Sequence, residues 1–219
     1  MGRTIAIGDI HGCSKALESL LRRIAPAADG LIITMGDYID RGPDSRGVID
    51  QLLRLPEMCR HIALMGNHEI MLLAVLQDST HSPFWMQCGG RETIESYGGD
   101  IENVPEDHLH FVRGCLPHYE TESHLFVHAN YNAGAPLEEQ EDELLYWRHL
   151  SQGLPGPHES GKIAVVGHTP QPGGRVLDLD HVVCVDTFCF GDGCLTALDV
   201  DSRETWQSNK QGQSWVLDS

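Results

Sequence analysis

A chain of 219 residues is long enough to bury one sizeable core, roughly 70% of its unfolded surface, and its 41% apolar and 21% charged residues are those of a globular protein. With 15 Lys and Arg against 32 Asp and Glu, the formal charge is −17, a field that repels nucleic acid backbones and excludes a general DNA or RNA binder. No stretch approaches the ~18 uninterrupted apolar residues of a membrane span, the MGRTIAIGD start lacks a signal peptide's apolar region, and seven scattered cysteines without a C-x-x-C pair fit a reduced cytoplasm.

TIAIGD (4–9) predicts a first strand that stops on Asp9, and a helix follows over Ser14–Ile24 with Ser14 as its N-cap. LIITMGD (31–37) predicts a second strand ending at Asp37, and Pro43–Leu55 a second helix with Pro43 in its first turn. IALMGN (62–67) gives a third strand ending at Asn67, LFVHAN (125–130) a fourth that reaches His128, and IAVVGH (163–168) a fifth ending at His168. GCLTALDV and ETWQS alternate as closing antiparallel strands do. Runs that are apolar throughout are the mark of buried parallel strands, and their alternation with helices predicts an α/β fold occupying 1–219 as a single domain.

In such sheets ligands gather beyond the carboxyl ends of the strands. A lone strand-end Asp or His is usually a turn former. Here five runs end on Asp, Asn or His, four of them with a Gly just before the polar residue (Gly8, Gly36, Gly66, Gly167). With His11 added, Asp9, Asp37, Asn67, His128 and His168 form a nitrogen and oxygen donor set without sulfur, which suits Mn, Fe or Zn and is large enough for two ions. The His68-Glu69 pair in LMGNHEIMLL begins like a zinc protease H-E-x-x-H, but the second His position holds Leu72, so that reading fails.

GDIHG (8–12), GDYIDRG (36–42) and GNHE (66–69), followed by His128 and GHT (167–169), resemble the PPP-type metallophosphoesterases over about residues 3–190. The resemblance implies a calcineurin-like sandwich of two mixed β-sheets flanked by helices, with two divalent metal ions, Mn first, bridged by Asp37. Asp9 and His11 would serve one ion, and Asn67, His128 and His168 the other. It makes Arg41 a phosphate clamp and His68 the general acid, with Asp40 on its second ring nitrogen. Arg148, in LLYWRHL, resembles the Trp-Arg step of the phage lambda-type phosphatases and is expected to bind phosphate from an amphipathic helix. Glu69 is expected to accept from Arg41 or from first-turn N–H groups.

For the substrate, GNHE and the W-x-x-x-G-G step from Trp85 to Gly90 resemble the bacterial protein phosphatases, which implies a phosphoprotein or phosphopeptide carrying phospho-Ser/Thr, possible at Tyr as well. The alternative is a symmetrical bis(5'-nucleosyl)-tetraphosphatase. Residues 78–122 are the expected specificity insert, with Trp85, Arg91 and Tyr97 over the metal face. A non-catalytic binding module is disfavoured because His68 and Arg41 are both present, and no regulatory-subunit segment is evident. His108 and His110 read as a surface helix that begins at Pro105, EEQEDE (138–143) as the first turn of the helix carrying Trp147, and Cys13 as a packing residue. Asp186 lies in VDTF, where relatives usually show VDTG, and is expected to be structural.

Overall fold

The computed structural model describes residues 2–215. The elements run β1 (Thr4–Ile7), α1 (Ser14–Ile24), β2 (Leu31–Thr34), α2 (Ser45–Leu52), β3 (Arg60–Ala63) and α3 (Asn67–Gln77). Then come α4 (Ser82–Trp85), a π-turn over Met86–Gly90, α5 (Arg91–Ser96), α6 (Glu106–Arg113), β4 (His118–Glu120), β5 (His124–Val127) and α7 (Asp142–Tyr146). The chain closes with β6 (Ile163–Val166), β7 (Leu177–Asp178), β8 (Val182–Cys184), β9 (Leu195–Asp199) and β10 (Thr205–Ser208).

Two five-stranded mixed sheets result, ordered β10-β9-β1-β2-β3 and β4-β5-β6-β8-β7. β1, β2 and β3 are parallel to one another, as are β5, β6 and β8, while β9 and β10 close the first sheet antiparallel. Successive strand side chains point to opposite faces, and the cores follow that alternation. Ala6 and Ile33 join Phe126, Val165 and Val183 between the sheets, whereas Ile5, Ile7 and Ile32 pack with Leu17, Leu20 and Val48 of α1 and α2. Leu125, Val127, Ala164 and Val166 form a third cluster with Leu145 and Leu150 on the far side. The result is a sandwich with helices outside both sheets.

The cap of α1 and the start of α2 differ from expectation. α1 begins at Ser14, but its N-cap is Cys13, and the Ser14 hydroxyl donates instead to Asp44 Oδ2 at 2.6 Å. α2 begins only at Ser45, because Asp44 takes the cap by accepting from Gly47 N–H at 2.9 Å. Pro43 therefore precedes that helix, and the cap side chain, which satisfies an orphan N–H, decides the boundary.

Candidate active site

The turns after β1, β2, β5 and β6 and the start of α3 after β3 bring the candidate ligands into one basin at the carboxyl ends of the parallel strands. Asp37 is its centre: Oδ2 lies 3.4 Å from His11 Nε2, and Oδ1 lies 3.4 Å from His128 Nε2. Two sets, His11 with Asp37 and His68, and Asp37 with His128 and His168, each hold donor atoms within 4.8 Å of one another. Asn67 Oδ1 stands 3.1 Å from His128 Nε2. Asp9 accepts from the His168 N–H at 2.9 Å through Oδ2, while its Oδ1 is buried without a partner.

Hydrogen bonds settle the histidine tautomers, and the tautomers indicate what the basin fits. The Ile39 carbonyl lies 2.9 Å from His11 Nδ1 and the Met35 carbonyl 2.7 Å from His128 Nδ1. A carbonyl only accepts, so each Nδ1 carries the proton. Burial lowers the pKa of both rings, which leaves them neutral with an Nε2 lone pair. Those lone pairs face the Asp37 carboxylate and the Asn67 oxygen, acceptor against acceptor. Such contacts are repulsive unless a cation lies among them, and a backbone carbonyl orienting the far nitrogen is the usual support for a metal-binding imidazole. His168 is turned the other way: its Nε2 meets the Trp147 carbonyl at 3.1 Å, which leaves Nδ1 free, and burial pushes its pKa down to about 3. The acids agree with this fit. Burial, together with Asp186 and Asp37, raises Asp9 well above the carboxylate range, and burial raises Asp186 to about 7. Burial and mutual repulsion thus disfavour the charged forms of these acids, a cost that a bound cation would relieve.

The glycines before the ligands are steric necessities. A Cβ on Gly66 would lie 2.3 Å from Asp37 Oδ1, and one on Gly167 would lie 2.2 Å from Asp9 Oδ1. Among the described residues nine non-glycine positions have positive φ, and His11, Asp37, Asp40, Arg41 and His168 are five of them. Backbone held in that region is strained, and such strain concentrates at functional sites where the surroundings enforce it. Glu69 supplies part of the enforcement. Fully buried at the start of α3, it accepts from Asp37 N–H and Tyr38 N–H, each at 2.8 Å, and from Gly66 N–H at 3.1 Å. Arg41 is not its partner, and Glu69 is enclosed by backbone N–H groups away from the open basin.

His68 is buried with Nδ1 2.7 Å from Asp40 Oδ2. Burial opposes its charge, but Asp37 and the hydrogen bond to Asp40 outweigh burial and raise its pKa. Its Nε2, buried and without a partner, lies 3.9 Å from Asp37 Oδ2. Burial likewise opposes the Asp37 charge, yet the imidazoles around it, of which only His68 is favoured in its charged form, hold its carboxyl far below the usual range. Asp40 is itself fixed by Trp85 Nε1–H at 2.8 Å and Thr93 Oγ1–H at 2.6 Å. Arg41 places Nη1 3.2 Å from His11 Nε2, and its guanidinium sits 4.6 Å over the Phe190 ring. Its N–H donates to the Gly89 carbonyl at 3.1 Å in the π-turn, where a Cβ on Gly89 would meet Arg41 Cγ at 2.7 Å.

Residues 78–122 therefore back the His68-Asp40 pair. Trp85 is 1% exposed and Tyr97 4%, so neither lies over the metal face as expected; Tyr97 bonds His108 Nδ1 at 2.8 Å. His108 is buried between Tyr97 and Asp50 rather than on the surface, while His110 is exposed. Arg148 lies beyond α7, which ends at Tyr146, and not on a helix. It is exposed and lines a cleft of about 400 Å³ with Asn130, Leu144 and Leu154, one residue after the Trp147 carbonyl that holds His168. The first acids of EEQEDE fall in a separate 3₁₀ turn, and only Asp142 and Glu143 open α7.

Sequence reasoning passed over Phe190 and the grip of Trp85 and Thr93 on Asp40, for which no local signal exists. Asp186 had one: VVCVD is another apolar run ending in an acid, and it brings that acid to the basin. Phe188 adopts φ 65°, a backbone that favours Gly, and its ring packs 4.7 Å from Phe190. Phe190 in turn meets the His11 ring at 4.8 Å.

A family model described as calcineurin-like phosphoesterase matches residues 2–195. The chain is 32% identical over 200 residues to a protein of Salmonella typhimurium named serine/threonine-protein phosphatase 1, covering 87% of this chain and 88% of that one. It is 41% identical over 167 residues to a protein of Burkholderia thailandensis named symmetrical bis(5'-nucleosyl)-tetraphosphatase, covering 69% of this chain but only 54% of the relative. Among solved structures, one described as a putative diadenosine tetraphosphatase superposes with a TM-score of 0.73 at 22% identity, over 94% of this chain and 92% of the other, a likeness of fold.

Proposed function

This chain belongs to the calcineurin-like phosphoesterase family, and from that premise we propose that it is a two-metal phosphomonoester hydrolase acting on phosphoserine and phosphothreonine in proteins, and on phosphotyrosine as well. The observation that carries the hydrolase reading is the facing of lone pairs around Asp37 beside a buried, carboxylate-held His68. Asp9, His11, Asp37, Asn67, His128 and His168 would hold the ions, for which manganese is the first candidate and iron or zinc the others. When bound, two such ions neutralise phosphoryl oxygens and lower the pKa of a water molecule from 15.7 towards ~7.

The chain's own groups do the rest. Arg41, its guanidinium stacked on Phe190 at the edge of the basin, binds the phosphoryl oxygens and the charge that grows on them. Asp40 holds the proton on His68 Nδ1 and keeps the ring charged, so that Nε2–H can protonate the departing alkoxide. Arg148 is proposed as a second phosphate contact from the loop beside His168. Phe84, 58% exposed, and Trp147, 36% exposed, flank a cleft of about 190 Å³ over α3, which offers apolar contact to a peptide chain. Partners beyond such a substrate, whether nucleic acid, membrane or regulatory subunit, are not part of the proposal.

The protein-phosphatase reading is supported by the match along nearly the whole of the Salmonella relative. The tetraphosphatase reading is supported equally by the higher identity of the Burkholderia relative. Purified protein with Mn²⁺, assayed side by side on phosphoserine, phosphothreonine and phosphotyrosine peptides and on diadenosine tetraphosphate, decides between them. Turnover of the peptides is the expected result, and activity confined to the dinucleotide would overturn it.

A further inference from the structure

A cleft of about 590 Å³ opens beside Arg41, on the outer side of the turn that carries His11, and is lined by Lys15, Arg41, Asp44, Phe190, Lys210 and Gln211. Its charge is out of keeping with the chain. The net charge is −17, and of only three lysines, Lys15, Lys162 and Lys210, two line this one cleft together with the proposed phosphate clamp. Lys162 is paired with Glu120, but Lys15 and Lys210 form no ion pair among the described residues, and Arg41, whose charge also reaches Asp9 and Asp186 in the basin, makes no contact ion pair. The single acid on the rim, Asp44, is held by the Ser14 hydroxyl and the Gly47 N–H and keeps its charge, so three cations face one carboxylate and the rim is net positive. Lys210 Nζ donates at 2.9 Å to the Gly191 carbonyl, which fixes the ammonium on the rim and leaves its charge uncompensated. The wall above Lys15 is the first turn of α1, an 11-residue helix with no acid in that turn and no side-chain cap on its N–H groups.

Three cations and an uncapped helix start around one concavity make an anion site, and Arg41 belongs both to it and to the basin. We propose that the cleft is a second anion subsite, which takes a phosphoryl or carboxylate group borne by the substrate next to the phosphoryl group that is hydrolysed. The inference rests on the phosphoester hydrolase reading and deepens it: the substrate class is a phosphate ester with a neighbouring negative charge. Two sources share that chemistry, a further phosphoryl group in a polyphosphate chain and an acidic residue beside a phosphorylated one in a peptide. Loss of one of two or three cations facing such a group changes affinity by several-fold to tenfold, less at high salt.

The test uses the full chain. With free Mn²⁺ buffered, tripolyphosphate and orthophosphate are compared as inhibitors of p-nitrophenyl phosphate hydrolysis, and KM is compared for phosphoserine peptides with glutamate or alanine neighbours. The wild type should bind tripolyphosphate about tenfold more tightly than orthophosphate, or favour the acidic peptide by a similar factor; the first result names the phosphoryl source and the second the peptide. Lys15→Ala should shrink that preference about threefold, and Lys15→Ala/Lys210→Ala should nearly abolish it. Lys15→Ala leaves the bond from Lys210 to the Phe190 loop untouched, so its effect separates loss of charge from a shift of that loop. Calorimetric titration of tripolyphosphate into metal-free protein reads the same site without turnover. Absence of any preference in the wild type, or one that survives the double variant, overturns the subsite. Absence of p-nitrophenyl phosphate hydrolysis with a calorimetric signal that still depends on Lys15 overturns the hydrolase reading alone.

Discussion

Replacing Asp40 with Asn leaves the shape of the acid pair almost unchanged and removes its charge. Asp40 Oδ2 lies 2.7 Å from His68 Nδ1, and the carboxylate also accepts from Trp85 and Thr93, so three donors hold it in place. The amide can keep its oxygen toward Trp85 and His68 and turn its NH₂ to the Thr93 hydroxyl, which can also accept. What is lost is electrostatic. At an effective dielectric of 20, charges about 4 Å apart attract by at most about 4 kcal/mol. Asp37 opposes part of the loss, because it too raises His68. Without the Asp40 charge the His68 pKa falls, the ring holds its proton less firmly, and the proton for the leaving group is less available. A positioned general acid contributes about 10²- to 10⁴-fold. Asp40→Asn should therefore lose roughly 10²-fold in kcat on an alkyl phosphate such as phosphoserine peptide, and less than about 10-fold on p-nitrophenyl phosphate, whose leaving group hardly needs a proton. His68→Asn should show the same split, and the double variant should lose little more than either alone. Equal losses on the two substrates, or additive losses in the double variant, would refute the assignment of His68 as acid and Asp40 as its support.

Gly167→Ala puts a methyl group 2.2 Å from Asp9 Oδ1, and expected displacement of that carboxylate should weaken metal binding by about 10- to 100-fold, read as a shift in the Mn²⁺ concentration for half activity; an unshifted metal titration counts against Asp9 as a ligand. Glu69→Ala strips four buried backbone N–H groups of their acceptor and should cost about 2 to 5 kcal/mol, seen as a fall in Tm with loss of activity; a variant of unchanged Tm would refute that structural role. Burial pushes the pKa of His61, which contacts Thr34 Oγ1 at 3.1 Å, down to about 4 from 6.5. The fold favours the neutral ring, so this contribution is complete above pH 6.5 and is lost as pH falls from 6.5 through 4, at up to about 1.4 kcal/mol per pH unit. Urea unfolding at pH 7.5 and pH 5 should show a difference smaller in His61→Gln by about 1 to 2 kcal/mol, and an unchanged difference would mean that His61 is not buried neutral.

The α/β alternation and five of the six candidate ligands were legible in the sequence because each signal is local. A parallel strand buried on both faces must be apolar along its length, so the polar residue at its end stands out, and at Gly66 and Gly167 the Gly before it marks a backbone that passes a neighbouring carboxylate with no room for a Cβ. His11 completes the set from the turn after the first strand, and the two-sheet sandwich came from the family resemblance. The helix caps at Cys13 and Asp44 were less legible, because which of two adjacent polar side chains caps a turn depends on the other partners within reach, as Ser14 shows by reaching Asp44. Tertiary structure alone decided what Glu69, Trp85 and Phe190 do. Their partners lie 31 or 32, 45 and 149 positions away in the chain, at Tyr38 and Asp37, Asp40 and Arg41, and burial made Trp85, expected over the metal face, a support of Asp40 instead. The cationic cleft belongs to the same class. Lys15 and Lys210 lie at opposite ends of an acidic chain and become one electrostatic feature only because β10 and the turn after it fold back beside α1. Local sequence can state which groups end a strand, but the field those groups share depends on distances through space, and those exist only once the sheets have closed.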